Sequence, residues 1–230
     1  MQLGRLVPPD FRHVEKFPLT AATIPSAATP AVFGIDWYEA FDHPVKHTDG
    51  RYWIGADGNL GGIRGGHAIC ALPTHVNDLT AWWSFYNQGA TGECEGFSHS
   101  RAMSLVNRAR YDAPDLYFRA QDLAGQPRDP QAGTYNRAVL EVLRTQGPKT
   151  PKGAKPSLGQ GIAAYRWATN ASQVLDVLQF LGGDKPYTKI GGIPLLNSWG
   201  KYYRHVVWMP VSLVDTLLAD GGECGVIVDR

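Results

Sequence analysis

The apolar patterning of this chain changes character twice, and that limits the kinds of fold open to it. Near the start, Val32, Phe33, Ile35 and Trp37 make a short apolar and aromatic run suited to a buried strand. A glycine-rich stretch from Gly55 to Gly66 then leads into a second strand over 67–72. Helical spacing follows. Ser98, Ala102, Leu105, Val106 and Ala109 share one face of a helix over 94–110, and Ala138, Val139, Val142 and Leu143 share one face of a helix over 135–146. Thr134 is the expected cap of the latter and Gly147-Pro148 its stop. Asn170 with Gln173 reads as a capping box for a helix containing Val174, Leu175, Val177 and Leu178, closed by Gly182-Gly183. Strand patterns return over 190–196 and 206–209, then a short helix over 212–219 and a last strand over 224–228. Strands at both ends of a helical middle specify an α+β fold, organised as 31–77, 78–182 and 183–230 within one domain.

Residues 1–30 carry Pro8, Pro9, Pro18, Pro25 and Pro30 with little periodicity, so they read as an extended arm on, or trailing from, the folded body. Residues 148–161, rich in Pro, Gly and Lys, read as a mobile surface loop. The 230 residues, 43% hydrophobic, suffice for one large domain or two small lobes around a cleft. Lys plus Arg number 22 and Asp plus Glu 21, which leaves no overall field to draw the chain onto nucleic acid or an anionic membrane. No run approaches the roughly 18 to 20 apolar residues that span a bilayer, and residues 1–10 hold no signal-peptide core. The expectation is a soluble protein not exported by its own signal. Cys70, Cys94 and Cys224 lack the spacing of a disulfide framework and are expected to be reduced. With no CxxC pair, His67 and Cys70 supply only half of a four-ligand zinc site, so no metal and no cofactor is expected.

The turn-like stretch 87–93, with Gly89 and Gly92, places Cys94 at the N-terminus of its helix. Free N–H groups and the positive dipole end there favour a thiolate, the nucleophilic form of cysteine. Six residues earlier, the Gln88 amide is placed to turn back over the cysteine and, with the Cys94 N–H, hold an oxyanion. The plainer reading is that Cys94 is a small buried apolar side chain, as most isolated cysteines are.

The run Asn87-Gln88-Gly89-Ala90-Thr91-Gly92-Glu93-Cys94-Glu95-Gly96-Phe97-Ser98 resembles the N-Q-G-x-C-G-S-C-W-A-F-S segment of papain-type cysteine peptidases. Asn197-Ser198-Trp199-Gly200 is similar to the N-S-W-G of the same family, whose Asn orients the catalytic histidine and whose Trp shields that contact from water. Taken alone, Asn197 would read as a turn cap after a buried strand. The sequence departs from the family at Thr91, where a disulfide cysteine is usual, and at Glu93 and Glu95, which replace Ser and Trp beside the nucleophile. Carboxylates there are expected to disfavour the thiolate by like-charge repulsion.

In papain-type enzymes the histidine strand lies between the Cys and the Asn. This chain has no histidine between His99 and Asn197. Upstream, Gly65-Gly66-His67-Ala68-Ile69 resembles that strand, and Thr29 to Tyr38 resembles the strand preceding it in the family. The likeness implies a circularly permuted papain-like fold with a helical lobe and an antiparallel sheet lobe, in the chain order His67, Cys94, Asn197. Triads with shuffled orders show that chain order is not what catalysis requires. His67 read alone could equally be a core histidine, with His75 and His205 as alternatives. His99 is expected to point away from Cys94 as a surface or packing residue, and His13, His43 and His47 to be solvated.

The resemblance implies acyl transfer on a peptide or protein substrate, with Cys94 as nucleophile, His67 as base, Asn197 as its orienting partner and Gln88 in the oxyanion hole. Gly133 and Thr134 correspond to cleft-lining glycines, and Trp199 borders the same cleft. The permuted hairpin, Arg64-Gly65-Gly66-His67 and Leu195-Leu196-Asn197-Ser198-Trp199-Gly200 are most similar to the papain-like proteases of tailed bacteriophages. That likeness implies a host cytoplasm or a virion as location, with assembly into a phage particle. A non-catalytic papain-fold structural or binding protein, and an amidase or transglutaminase on the same Cys-His pair, are the alternatives.

Overall fold

A computed structural model describes residues 19–20, 22–23, 25, 27–74, 76, 86–153, 155–179, 185–200 and 203–228. Strands β1 (Ala31–Tyr38), β2 (Val45–Lys46), β3 (Tyr52–Trp53), β4 (Ile63–Ala71), β5 (Ala164–Ala168), β6 (Gly192–Leu196), β7 (Val206–Pro210) and β8 (Glu223–Val228) form one sheet in the order β2-β3-β7-β6-β4-β1-β8-β5. The α+β expectation holds, but the sheet is mixed and not purely antiparallel. The short β2–β3 hairpin docks in parallel on β7 through Trp53 and Trp208, whose rings lie 6.0 Å apart.

The centre of the sheet joins the two ends of the chain. β1 pairs with β4 on one side and β8 on the other, and β4 pairs with β6. Side chains alternate across it. Ala31, Phe33, Ile35 and Trp37 of β1 enter a core shared with α4 (Ala171–Gln179), α5 (Pro186–Ile190) and α6 (Val211–Ala219). Val32 of β1 and Ala68 and Cys70 of β4 enter a second core, shared with α1 (Cys94–Asn107), α2 (Ala113–Leu123) and α3 (Asn136–Thr145). A strand buried on both faces has its register fixed, because a one-residue slip would exchange Val32 and Phe33 between cores of different shape.

Several sequence expectations shift. α1 stops at Asn107 because Arg108 turns left-handed (φ 51°, ψ 42°) and its N–H bonds Ser104 O. Its residues are buried on every side as far as Leu105, beyond the single face expected. Thr134 does not cap α3, since its hydroxyl bonds Gln126 Oε1 at 2.8 Å and the helix starts at Asn136 without a side-chain cap. Asn170 does accept from Gln173 N at 3.0 Å, while Gln173 Oε1 accepts from Thr169 N at 2.8 Å. The expected stop of that helix at Gly182-Gly183 lies outside the described residues. The strand expected from 190 starts at Gly192, because residues 186–190 wind into α5 and Gly191 (φ 75°) ends it. α2, α5, β2, β3 and β5 went unread in the sequence. The segment 148–161 is tied at its base, with Ser157 N bonded to Pro148 O and Asp112 N to Lys149 O. Of the N-terminal arm, Leu19 is buried and bonded to Trp167 O, and Thr29 N bonds Val177 O, so the described part docks along β5 and α4. No helix among the described residues is long and apolar enough to cross a membrane.

Candidate active site

The loop before α1 is held by its own polar groups. Asn87 Oδ1 accepts from Gly89 N at 3.0 Å, and the Thr91 hydroxyl lies 2.9 Å from both Gln88 O and Glu93 Oε2. Thr91 thus ties this turn by hydrogen bonds, and Glu93, buried at 6% exposure, serves as its acceptor. Gly92 must be glycine, because an added Cβ would sit 2.8 Å from Gln131 O in the loop crossing above it. The same loop is stitched to the N-S-W-G segment. Gln88 N bonds Ser198 O at 2.7 Å, Asn87 bridges Trp199, and Gly200 (φ 68°) has no room for a Cβ beside the Asn87 amide. The two motifs are therefore one structure.

Cys94 is the first residue of α1 and is nearly buried, at 9% exposure. Its Sγ reaches Gly92 O at 3.9 Å, and the backbone N–H groups of Ala68, Glu95 and Cys94 itself act on it. Sγ thus meets β4 at the peptide unit joining His67 to Ala68, and the bond from Ser98 Oγ to Ala68 O, 2.7 Å, pins α1 to that strand. Its hydrogen bond goes to Gly92 and not to the His67 ring.

His67 and Asn197 come together because β4 and β6 are neighbours, Cys70 lying opposite Leu196. His67 Nε2 is 3.2 Å from Asn197 Oδ1. An amide oxygen only accepts, so this contact places the proton on Nε2 and leaves Nδ1 as the basic nitrogen. Trp199 packs 4.8 Å from the imidazole and Trp37 4.7 Å, both centroid to centroid. Tyr203 and Phe41 complete this aromatic shell. Trp37 was read in the sequence only as a strand residue; its part in the site follows from the pairing of Ile35 with His67, which sets it one pleat away. His67 packs on the Trp37 side of the sheet and Cys70 in the opposite core, so the two share no ligand site.

Burial dominates the electrostatics. It pushes the Cys94 thiol up to about 12, with the Glu95 carboxyl adding in the same direction, and the N–H groups of Ala68, Glu95 and Cys94 opposing it. It lowers His67 to about 4, against the raising effects of the Asn197 contact and the Asp42 charge. Thiol and imidazole are therefore both neutral in the ordinary pH range. Burial, with the Glu223 charge behind it, also raises the Glu95 carboxyl well above its usual range. Burial therefore opposes ionisation of the very carboxyl that raises the Cys94 thiol.

Cys94, His67, Gln88, Trp199, Gly133 and Thr134 line one cleft of about 940 Å³, and Asn197 lies behind His67. Gln88 is 7% exposed, and its Nε2 donates to Thr91 O at 2.8 Å, which uses one of its two amide hydrogens. The loop carrying Gly133 is held by Gln121 of α2, fully buried, whose Nε2 reaches Asp129 O at 2.8 Å and Gly133 O at 3.1 Å while Oε1 accepts from Asp129 N at 3.0 Å. Gln121 escaped the sequence reading along with its helix. His205 is not among the cleft residues, and His75 and His13 lie outside the described residues. His43 and His47 are exposed as expected. His99 is fully buried, which corrects the surface alternative, and its Nδ1 donates to Glu95 O at 2.8 Å. No known protein family, curated protein or solved structure matches the chain.

Proposed function

We propose that this protein is a cysteine peptidase of circularly permuted papain-like fold, working through Cys94, His67, Asn197 and Gln88. The observation that carries the reading is the His67 Nε2 to Asn197 Oδ1 contact, under Trp199, on the strand whose next peptide N–H meets the Cys94 sulfur. A tautomer fixed in this way leaves Nδ1 to accept a proton.

In the proposed reaction, Nδ1 takes the Cys94 proton as sulfur bonds to the amide carbonyl carbon and the carbonyl electron pair moves onto oxygen. The oxyanion is held by the Cys94 N–H and the second Gln88 amide hydrogen. Collapse breaks the C–N bond, and the leaving amine takes the proton from His67. Water, deprotonated by His67, then attacks the thioester and releases the acid, and the proton returns to sulfur. Because both groups rest neutral, proton transfer accompanies attack and no thiolate–imidazolium pair is stored beforehand. Mass-spectrometric analysis of peptide mixtures is expected to show cleavage by the wild type and none by Cys94→Ala. Turnover of cell-wall fragments with peptides intact would move the reading to an amidase on the same pair.

The thiol raised to about 12 favours a second reading, a papain-fold structural or binding component that has lost its chemistry. Intact peptides and intact cell-wall fragments would select it. The likeness to phage enzymes supports action in a host cytoplasm or a virion under either reading.

A further inference from the structure

The hydrogen bond from His67 to Asn197 is a long one, 3.2 Å, and a ring held at one nitrogen can still pivot about that contact. The plane of the imidazole is therefore set by what stands against it. Trp199 lies at 39° to the ring and Trp37 at 71°. Trp199 belongs to the same motif as Asn197, whereas Trp37 comes from β1 and has its own support. Its ring meets Trp199 edge-on at 5.1 Å and Phe41 at 5.2 Å, and its Nε1 donates to Asp42 Oδ1 at 2.8 Å.

That bond is made possible by the way the chain turns after β1. Glu39–Asp42 wind into a short 3-10 turn with Phe41 buried, and Glu39 N and Ala40 N bond Gly62 O and Leu60 O. The turn folds back and brings the Asp42 carboxylate to the indole of the preceding strand. Its other oxygen, Oδ2, meets Arg64 Nη1 of β4 at 3.2 Å, so both carboxylate oxygens are engaged. A buried indole N–H needs an acceptor, and a charged one makes the stronger bond. The Asp42 charge also reaches the imidazole, where burial lowers the pKa and the Asn197 contact, then Asp42, opposes it.

We propose that Asp42 is a positioning residue of the site: through its bond to Trp37 it fixes the indole that sets the His67 ring plane, and so the aim of Nδ1. The inference rests on the peptidase reading for the reaction it serves. Asp42→Ala is expected to lower kcat roughly tenfold with KM little changed, because a misaimed base slows the chemical step and not binding. Asp42→Asn, whose amide oxygen still accepts the indole N–H, should recover most of that loss. In a Trp37→Phe background, which lacks the N–H, Asp42→Ala should cost nothing further. Nitrogen-15 NMR of the His67 ring at neutral pH gives a readout free of turnover. The wild type and Asp42→Asn are expected to show one tautomer, with the proton on Nε2, and Asp42→Ala a mixture of both. Unchanged kcat in Asp42→Ala, an equal loss in Asp42→Asn, or an equal further loss in the Trp37→Phe background overturns the positioning role and leaves the peptidase reading intact. Absence of cleavage by the wild type overturns the peptidase reading, and the NMR spectra then decide the positioning: mixed tautomers in Asp42→Ala uphold it, a single Nε2–H form ends it.

Discussion

His67 illustrates how neighbours set the properties of a single residue. Asn197 fixes its tautomer, two indole rings exclude water from the contact, and burial lowers its pKa to about 4. If His67 is the base of the proposed peptidase it must be unprotonated to act, so the acid limb of kcat/KM is expected near pH 4 and not near 6.5, the value of an ordinary histidine. A pH profile from about 3.5 to 8, with activity recovered on return to neutral pH, checks this. An acid limb near 6.5 would mean that the imbalance between burial and hydrogen bonding is not as described. The motif residues at this scale were legible in the sequence because each carries a distinctive local spacing. Glu95 was legible only as a charge beside sulfur, since the rise of its pKa comes from burial and then from Glu223, which no local pattern encodes.

Among the elements, α1 carries Cys94 and packs against α2 in the helical layer. Gly96 lets the two approach, for an added Cβ would lie 2.6 Å from both Ala113 O and Tyr117 Cβ. Gly96→Ala is expected to destabilise the protein by about 1–3 kcal/mol, measured by urea unfolding, because backbone on one side cannot yield. A neutral effect would show that α2 shifts freely. The sequence revealed α1 because glycines and a turn precede an abrupt helical run. It concealed α2 although Asp112, which accepts from Asp115 N, and Pro114 in the first turn are start signals. Buried polar residues explain this, since Gln121 and Tyr117 interrupt the apolar stripe that identifies a helix. β5 was missed for another reason: Tyr165 and Trp167 alternate correctly but over only five residues.

Across the whole molecule, the order of the sheet could not be read from the sequence, because β1 lies between strands that are near and far in the chain. Its α+β class was legible from patterning alone. Burial of neutral histidines has a global consequence. His67 and His99 both have pKa values lowered from 6.5 to about 4, so the unfolded chain binds their protons first. Their stability contribution is complete above pH 6.5 and is lost as pH falls toward 4, by up to on the order of 3 kcal/mol each. Glu95 works in the opposite sense, its raised pKa costing stability as pH rises above 4.5. In a Glu95→Gln variant, urea unfolding should therefore show stability falling from about pH 7 to pH 5; a flat profile would contradict the neutral burial of both imidazoles.

The joint action of Cys94 and His67 is tested most directly by labelling with a peptidyl vinyl sulfone and mapping the adduct by mass spectrometry. A single adduct is expected on Cys94, formed much faster than on a cysteine-containing control peptide and lost in His67→Ala, while iodoacetamide, which reports only the resting thiol, stays slow in both proteins. Labelling of Cys94 no faster than the control, or equally fast without His67, would contradict it.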